Sequence, residues 1–305
     1  MPTQFLQPIL RFAPSPTGEL HLGHALSALI NQLLADKLGG RLLLRVEDID
    51  INRRRQDFVD GIYRDLKWLG ITWEEPVLLQ SERFDIYAGY LDRLRDADLL
   101  YPCFATRKEI SEAAQTSGSG TDPDGAPIYP QLHKGMSERE VSQRLSSGEH
   151  FALRLDMEKA MWMALDCLDE GEISYTAFDT CGREERYTVD PMRWGDVVLA
   201  RKDNGTSYHM ACVIDDALQG VTHVVRGQDL QPATDIHRLL QILFDLSEPR
   251  YHHHALILDQ DGRKLSKSLA DTSLRQLRNT GASLADIMGE LASITQQYDA
   301  FAPSR

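Results

Sequence analysis

The stretch PTGELHLGH holds two histidines and two glycines at a spacing that suits the binding of phosphate groups. His21 and His24 are three residues apart, so in a helix they lie on one face of the first turn. Gly18 and Gly23 allow a ligand to approach the backbone closely. If the stretch joins a strand to a helix, the amides of the helix N-terminus point at the ligand as well. Taken alone, the histidine pair also fits a surface accident or a metal-binding pair.

A second stretch, GRKLSKSLA, places two lysines among small residues at 262–270. The ammonium groups of Lys264 and Lys267 are compact charges of the kind that binds a triphosphate. A loop of this composition can close over a leaving pyrophosphate and stabilise the charge that develops there. Taken alone, the stretch is also typical of a solvated surface loop.

The segments on either side of PTGELHLGH predict a strand, a helix and a second strand. PILRF, at residues 8–12, is a short apolar run that is followed by two prolines and a glycine. Apolar residues then recur at helical spacing from Leu22 to Leu34, and Gly39-Gly40 ends the helix. RLLLRVED follows as a second strand. These segments form a βαβ unit, so we predict an α/β fold with a parallel sheet and a right-handed crossover.

The rest of the chain adds helices, a loop and a second group of strands. A segment rich in Gly and Pro at 113–127 predicts a loop or linker. The further predicted helices are 55–69, 83–98, 232–245 and 273–294. The further predicted strands are DVVLAR, SYHMACVID, THVVRG and HALILD, which begin at residues 196, 207, 222 and 254.

Composition narrows the class of protein. With 305 residues and 26% charged side chains, the chain can bury a sizeable core and matches an ordinary soluble enzyme. The net charge of −13 argues against non-specific nucleic-acid binding but leaves room for a local basic patch. We find no apolar run of the roughly 18 residues that a membrane span needs, and no secretory signal in the first residues. The four cysteines are not spaced as a metal knuckle, which favours a reducing cytoplasm.

HLGH after the first strand and KLSKS after the last one are similar to the two signature motifs of the class I aminoacyl-tRNA synthetases. RFAPSPTGELHLGH, RVEDID, DDALQGVTHVVRGQDL and LILDQDGRKLSKS further resemble the glutamyl-tRNA synthetase group. The resemblance covers most of residues 9–270 and is weakest across 108–190. It implies a Rossmann-like parallel sheet with an inserted α+β subdomain, a short C-terminal helical segment and no anticodon-binding domain.

The resemblance divides the chain into four parts. Residues 1–100 are the first half of the catalytic domain, and residues 101–190 are an inserted subdomain that resembles an acceptor-binding one. Residues 191–250 are the second half of the catalytic domain. Residues 251–305 hold the lysine loop and a truncated helical tail.

The resemblance also implies roles for individual residues. ATP is a substrate, with Mg²⁺ on its phosphates, and the residues implied at its site are Gly18, His21, Gly23, His24 and Lys267. The catalytic residues implied are His21, His24, Lys264 and Lys267. The residues implied for L-glutamate are Arg11, Ala13, Ser15, Glu47, Tyr208 and Arg226.

Two of the glutamate residues have a clear chemical reason. Glu47 resembles the acid that pairs with the substrate ammonium. The guanidinium of an arginine such as Arg226 binds a γ-carboxylate in bidentate fashion, whereas an amide would turn an NH₂ group toward the cation. Glu47 could instead pair with Arg45 or Arg53 at the end of its strand, and Tyr208 could be a core aromatic with a hydrated hydroxyl.

Two other groups look like metal ligands, and we predict that neither binds a metal. Asp215 and Asp216 form an acidic pair, for which we predict a structural role in a turn or a helix cap. His252–His254 form a run of three histidines, which we place just before an apolar strand.

Small relatives of this group often carry a zinc site in the insertion, with the pattern Cys-x-Cys, then a Tyr and a third Cys four residues on. Here Cys103 and Tyr129 occupy two of these positions, Ala105 replaces the second cysteine, and His133 stands at the last position. These residues do not complete a tetrahedral structural site, so we predict no zinc.

Only 37 residues follow Ser268, whereas full-length glutamyl-tRNA synthetases continue with helical domains that read the anticodon. The resemblance therefore narrows to truncated paralogues, the glutamyl-Q tRNA(Asp) synthetases, which attach glutamate to queuosine at the wobble position of tRNA(Asp). The expected RNA partner is the anticodon stem-loop, whose single-stranded bases can be splayed out and read. We expect a cytoplasmic monomer.

The implied reaction has two steps. The carboxylate of glutamate attacks the α-phosphorus of ATP, and an RNA hydroxyl then attacks the adenylate. Such chemistry needs positioning and charge neutralisation more than a protein nucleophile. Two alternatives stay open: a minimal enzyme that charges the acceptor end of tRNA-Glu, and a non-catalytic paralogue that binds amino acid or RNA as a regulator.

Overall fold

Ten strands and ten α-helices make up the part of the chain that the computed structural model describes, which is residues 7–168, 171–201, 205–257 and 272–302. The strands are β1 Ile9–Phe12, β2 Arg41–Val46, β3 Glu74–Leu79, β4 Leu100–Cys103, β5 Ala152–Leu155, β6 Ser174–Phe178, β7 Glu184–Thr188, β8 Val198–Ala200, β9 His223–Gly227 and β10 Arg250–His254. The helices are α1 Leu22–Leu38, α2 Gln56–Trp68, α3 Phe84–Asp96, α4 Arg107–Ser117, α5 Glu138–Ser146, α6 Met157–Asp166, α7 Tyr208–Leu218, α8 Thr234–Leu243, α9 Leu274–Asn279 and α10 Leu284–Thr295.

The strands form two parallel arrays and one antiparallel sheet. The first array has the order β1-β2-β3, and the second has the order β7-β6-β10-β9, with β7 antiparallel to its neighbour. The arrays meet where the Thr222 amide donates to the Ile9 carbonyl at 2.9 Å and the Ile9 amide donates to the Thr222 hydroxyl at 2.8 Å. The predicted α/β fold with a parallel sheet is confirmed.

The β1–α1–β2 unit forms as the sequence predicts. The inner face of α1 is apolar, and Leu26, Ile30 and Leu34 on it are at most 1% exposed. Each such side chain contributes roughly 1.5–3 kcal/mol to folding. Gly39 ends the helix in the left-handed conformation, and a Cβ on Gly40 would lie 2.6 Å from the Pro8 carbonyl oxygen. The turn into β2 therefore needs glycine at residue 40, because a side chain there would collide with backbone.

The predicted strand SYHMACVID is wrong, because these residues begin helix α7. The side chains from Met210 to Ile214 are all buried, so the segment is apolar on every face and shows no amphipathic period. A short run of this kind fits a buried strand or a buried helix equally well. Ser207 favours the helix, because its hydroxyl accepts from the Met210 amide at 3.4 Å and caps the N-terminus of α7.

Two other predicted elements shift. The strand expected at HALILD does not form at 255–257, and its last two residues lie outside the described ranges. The strand β10 ends at His254, so the histidine run itself forms the strand. The helix expected at 273–294 is two helices, α9 and α10, separated by a turn at Gly281 with φ +91°. The predicted helices at 55–69, 83–98 and 232–245 are confirmed as α2, α3 and α8.

The insertion between the two arrays contains the antiparallel sheet β4-β5-β8 and the helices α4, α5 and α6. In the second array, which has the order β7-β6-β10-β9, strand β6 pairs with strand β10. The four-part division of the chain stays a prediction. Within the described ranges, no helix is both long and apolar enough to cross a membrane.

Candidate active site

A cavity of about 430 Å³ opens at the carboxyl ends of β1, β2, β9 and β10. This edge of a parallel sheet is where α/β proteins bind ligands. The predicted site residues that line the cavity are Arg11, Ala13, Ser15, His21, Gly23, His24, Glu47, Tyr208 and Arg226. Gly18 is described but is not part of the lining, and Lys264 and Lys267 lie outside the described residues.

His21 and His24 form a reciprocal cap at the start of α1. The Gly23 amide donates to His21 Nδ1 at 3.1 Å, and the His21 amide donates to His24 Nδ1 at 3.2 Å. Because each Nδ1 accepts a hydrogen bond, each neutral ring carries its proton on Nε2. Burial, together with the neighbouring His21, lowers the pKa of His24 to about 3. His24 is therefore a neutral donor near pH 7, which is suited to a phosphate oxygen.

A buried ion network fixes the floor of the cavity. Asp216 accepts from Arg11 Nε at 3.0 Å and from Arg45 Nη1 at 2.6 Å, and Glu47 accepts from Arg45 Nη2 at 3.0 Å. Burial alone would raise the pKa of Asp216, but the charges of Arg11 and Arg45 hold it below its ordinary value. Asp216 thus makes buried ion pairs from within α7, where the sequence predicts a turn or a helix cap.

Glu47 makes one of the ion pairs that the sequence left open for it, and it also lines the cavity. Its carboxylate pairs with Arg45, as the structural alternative required. Burial raises the pKa of Glu47 more strongly than the charges of Arg45 and Arg11 lower it. A cationic ligand group beside Glu47 would relieve this cost, because it would favour the ionised carboxylate.

Arg226 places a buried positive charge at the cavity without a carboxylate partner in the described structure. Its side chain is buried, with 4% of the residue exposed, and it makes hydrogen bonds to Tyr208, Thr234, His237 and His253. Within the described ranges, no carboxylate oxygen lies within 4.0 Å of a guanidinium nitrogen of Arg226. A buried cation without a counterion is costly, so the site is suited to a ligand that brings a carboxylate.

The acidic pair and the histidine run have structural partners. Asp215 accepts from the Tyr87 hydroxyl at 2.6 Å, from Gln80 at 2.9 Å and from Arg83 at 2.7 Å. His252 lies between the Phe178 carbonyl oxygen and the Tyr298 hydroxyl, 2.7 Å from each. Asp215 therefore makes structural contacts from within α7, and not in the turn or helix cap that the sequence predicts.

His237, Thr234 and His253 contact Arg226 without lining the cavity, and the sequence analysis does not predict them. His237 and Thr234 are three residues apart on one face of α8, which is a signal that could have found them together. The third, His253, is on β10 and comes near Arg226 only through the pairing of β10 with β9, where His253 lies opposite Arg226.

The residues at the expected zinc position bond to one another. The Cys103 thiol lies 3.3 Å from the Tyr129 hydroxyl, which accepts from the His133 amide at 3.0 Å. His133 Nδ1 accepts from the Phe104 amide at 3.2 Å, so that nitrogen is not available to a metal. These residues do not fit a tetrahedral zinc site. In the described part of the chain, no three His, Cys, Asp or Glu residues are grouped so as to hold a metal ion.

The family model and the most similar relatives that we compared indicate the same protein family. The family model described as "tRNA synthetases class I (E and Q), catalytic domain" matches residues 9–291. The glutamyl-Q tRNA(Asp) synthetase of Rhodobacter capsulatus is 44% identical over 287 residues, which are 92% of this chain and 98% of that protein. The glutamyl-Q tRNA(Asp) synthetase of Nitratidesulfovibrio vulgaris is 36% identical, over 96% of this chain and 88% of that protein.

Solved structures agree with this comparison. The glutamate-tRNA synthetase of Elizabethkingia anophelis superposes with a TM-score of 0.69 at 28% identity. The match covers 90% of this chain and 54% of that one, so the chain spans about half the length of that synthetase.

Proposed function

The chain belongs to the class I tRNA synthetases of the glutamate and glutamine group, and from this premise we propose that it activates L-glutamate with ATP and transfers it to queuosine at the wobble position of tRNA(Asp). The observation that carries the proposal is Arg226, a buried guanidinium whose partners are all neutral. Arg226 shares its cavity with Glu47, a partly buried acid with a raised pKa. A cation and an anion in one cavity complement an amino acid that carries a side-chain carboxylate and an α-ammonium group.

In this proposal the side-chain carboxylate of glutamate binds Arg226 and Tyr208, and the α-ammonium binds Glu47. Tyr208 supports the binding of a carboxylate because its oxygen already accepts from Arg226 Nη1 at 3.2 Å, which leaves the phenolic proton to donate. Burial raises the pKa of Tyr208, so the phenol keeps this proton. Arg11, Ala13 and Ser15 border the same space.

The first chemical step joins the two substrates. An oxygen of the glutamate α-carboxylate attacks the α-phosphorus of ATP, and the bond to the pyrophosphate oxygen breaks. His21 and His24 donate hydrogen bonds to phosphate oxygens, and Mg²⁺ enters with ATP. Lys264 and Lys267 are expected to neutralise the leaving pyrophosphate. Donors of this kind act by stabilising charge where it develops, so no protein nucleophile is needed.

In the second step a hydroxyl of the queuosine side chain attacks the glutamyl carbonyl, and AMP leaves. A further cavity of about 580 Å³ shares Tyr208 and Leu230 with the first one and supports a path for the acceptor. Arg107, Arg154 and Trp194 are among the residues that line it, and such side chains suit a splayed nucleotide. We propose that a monomer binds the anticodon stem-loop of tRNA(Asp) along this path.

The test is transfer of labelled glutamate, with ATP, to two matched tRNA(Asp) preparations. One carries queuosine at the wobble position and the other carries guanosine. Label on the queuosine form alone, and none on tRNA-Glu, is the expected result. Label on tRNA-Glu instead would identify a minimal enzyme that charges the acceptor end. Absence of both label and glutamate-dependent pyrophosphate exchange, with and without RNA, would leave a binding protein.

A further inference from the structure

Three different elements hold the guanidinium of Arg226, and each offers it at least one neutral acceptor. From β9, Arg226 donates through Nη1 to the Tyr208 hydroxyl of α7 at 3.2 Å and to His237 Nδ1 of α8 at 3.2 Å. It donates through Nη2 to the Thr234 hydroxyl at 2.8 Å and through Nε to His253 Nε2 of β10 at 3.3 Å. These bonds use four of the five N–H groups of the side chain.

The acidic side chains near Arg226 form ion pairs with other arginines. Asp216 pairs with Arg11 and Arg45, and Glu47 pairs with Arg45. The environment of Arg226 in the described structure therefore orients the guanidinium without neutralising it. Removing a charge from water without a counterion is costly, and neutral hydrogen-bond partners offset only part of that cost.

The histidines can play this part only as neutral rings. His237 Nδ1 and His253 Nε2 each accept from Arg226, so the proton of each ring is on its other nitrogen. His237 is 2% exposed, and its Nε2 has no hydrogen-bond partner in the described structure. Burial, and then the charge of Arg226, lowers the pKa of His253 to about 2 and that of His237 well below its ordinary value.

We infer that His237 and His253 are positioning residues that set the selectivity of the cavity for a side-chain carboxylate over a side-chain amide, an inference that rests on the proposed function. They fix the plane of the Arg226 guanidinium and leave its charge for the substrate to neutralise. An acid at either position would supply the counterion from the protein. The arginine would then gain little from the carboxylate of glutamate, and the penalty against the amide of glutamine would fall.

Two isosteric pairs of variants test the inference. The side-chain oxygen of asparagine lies about where Nδ1 of histidine does, so His237→Asn keeps a neutral acceptor, and His237→Asp places a charged one in the same shape. At residue 253, where Nε2 is the acceptor, the matching pair is His253→Gln and His253→Glu. The measurements are calorimetric dissociation constants for glutamate and glutamine, and the KM and kcat of amino-acid-dependent pyrophosphate exchange.

The neutral variants should keep the wild-type preference for glutamate. The acidic variants should lose about 10- to 100-fold of that preference, through a raised KM for glutamate and with an unchanged KM for ATP. His252→Asn is the matched control, because His252 is the neighbouring buried histidine of β10 and bonds to Phe178 and Tyr298 instead. It should lower the melting temperature and leave the preference unchanged.

Equal losses in the asparagine and aspartate variants would show a merely structural role and overturn the inference. An aspartate or glutamate variant with the wild-type preference would overturn it too. The two positions lie on different elements, so the pair at 253 decides if His237→Asp does not fold. A wild-type chain that binds neither amino acid would instead refute the proposed function, and the inference with it.

Discussion

The imidazole rings of His21 and His24 cap the first turn of α1 for each other, with their centroids 3.9 Å apart. Helix caps are usually Ser, Thr, Asp or Asn side chains, whose oxygen accepts a hydrogen bond from the backbone. An imidazole can accept on one nitrogen and donate on the other. The pair therefore stabilises the helix through Nδ1, and in the proposed function the Nε2 proton of His24 binds a phosphate oxygen.

The two functions of His24 can be separated by substitution. His24→Ala removes both, so we expect a loss of about 1 kcal/mol in unfolding free energy and about 100-fold in the rate of adenylate formation. His24→Asn keeps an acceptor near the position of Nδ1 and lacks the Nε2 donor. It should recover the stability and not the rate, as urea denaturation and pyrophosphate exchange would measure. Recovery of both by asparagine would contradict the proposed role of Nε2.

Glu47→Gln should weaken glutamate binding and spare the fold. Its burial raises the pKa of the carboxyl, so the folded state gains little from the ionised form, and an amide of the same shape fits. The loss of the partner for the ammonium should raise the KM for glutamate about 10- to 100-fold, with no change for ATP.

The analogue 2-hydroxyglutarate, which lacks the ammonium group, provides the check on Glu47. The wild-type chain should bind glutamate much more tightly than the analogue, and Glu47→Gln should bind the two about equally. A variant that still prefers glutamate by the wild-type factor would show that the ammonium binds elsewhere.

Asp216→Asn should be among the most destabilising single changes in the chain. It leaves Arg11 and Arg45 buried, at 4% and 0% exposed, without the carboxylate that both share. Breaking a buried ion pair of this kind costs about 3–5 kcal/mol, which chemical denaturation would measure. Lys108→Ala is the control, because it breaks only the exposed pair with Glu112 and should cost less than about 0.5 kcal/mol. Similar costs for both variants would be at odds with the buried network.

His223 should make stability depend on pH. Burial, helped by the charge of Arg250, lowers the pKa of His223 to about 4, from an ordinary value of 6.5. The unfolded chain thus binds this proton first as the pH falls, so the contribution of His223 to stability falls between pH 6.5 and 4. At pH 5 the loss is roughly 2 kcal/mol.

His223→Gln removes this titration. The unfolding free energy of the variant, relative to that of the wild type, should therefore rise as the pH is lowered from 7.5 to 5. The lost contact with the Thr222 hydroxyl, at 2.8 Å, is a constant cost at every pH. Urea denaturation at several pH values measures the difference. A difference that does not change with pH would mean that His223 titrates alike in the folded and unfolded chains.

The sequence predicted the parts of the site that lie near one another along the chain. The α1 segment has a clear helical period and glycines at its end, so the β1–α1–β2 unit and the histidine pair were found together. The α7 segment has no polar face, so its pattern indicates a strand where the structure has a helix, although Tyr208 at its start does line the cavity. Local pattern identifies an element only when one of its faces differs from the other.

The surroundings of Arg226 could not be predicted in this way. His253 and His237 come from a strand and a helix, and nothing in the spacing of the sequence says that both will point at one arginine. Only the register of β10 against β9 brings His253 opposite Arg226. The family resemblance implies a role for Arg226, but it implies nothing about the residues that contact Arg226.

The seam between the two parallel arrays has a consequence for how the chain reaches its fold. The hydrogen bonds between Ile9 and Thr222 join residues 213 positions apart. During synthesis at about 5–20 residues per second, β1 therefore waits some 10–40 s with one edge unpaired before its neighbour exists. An exposed strand edge invites pairing with other chains, and closing so long a loop slows folding. The β1 edge is thus a place where a nascent chain is open to aggregation until residue 222 has been made.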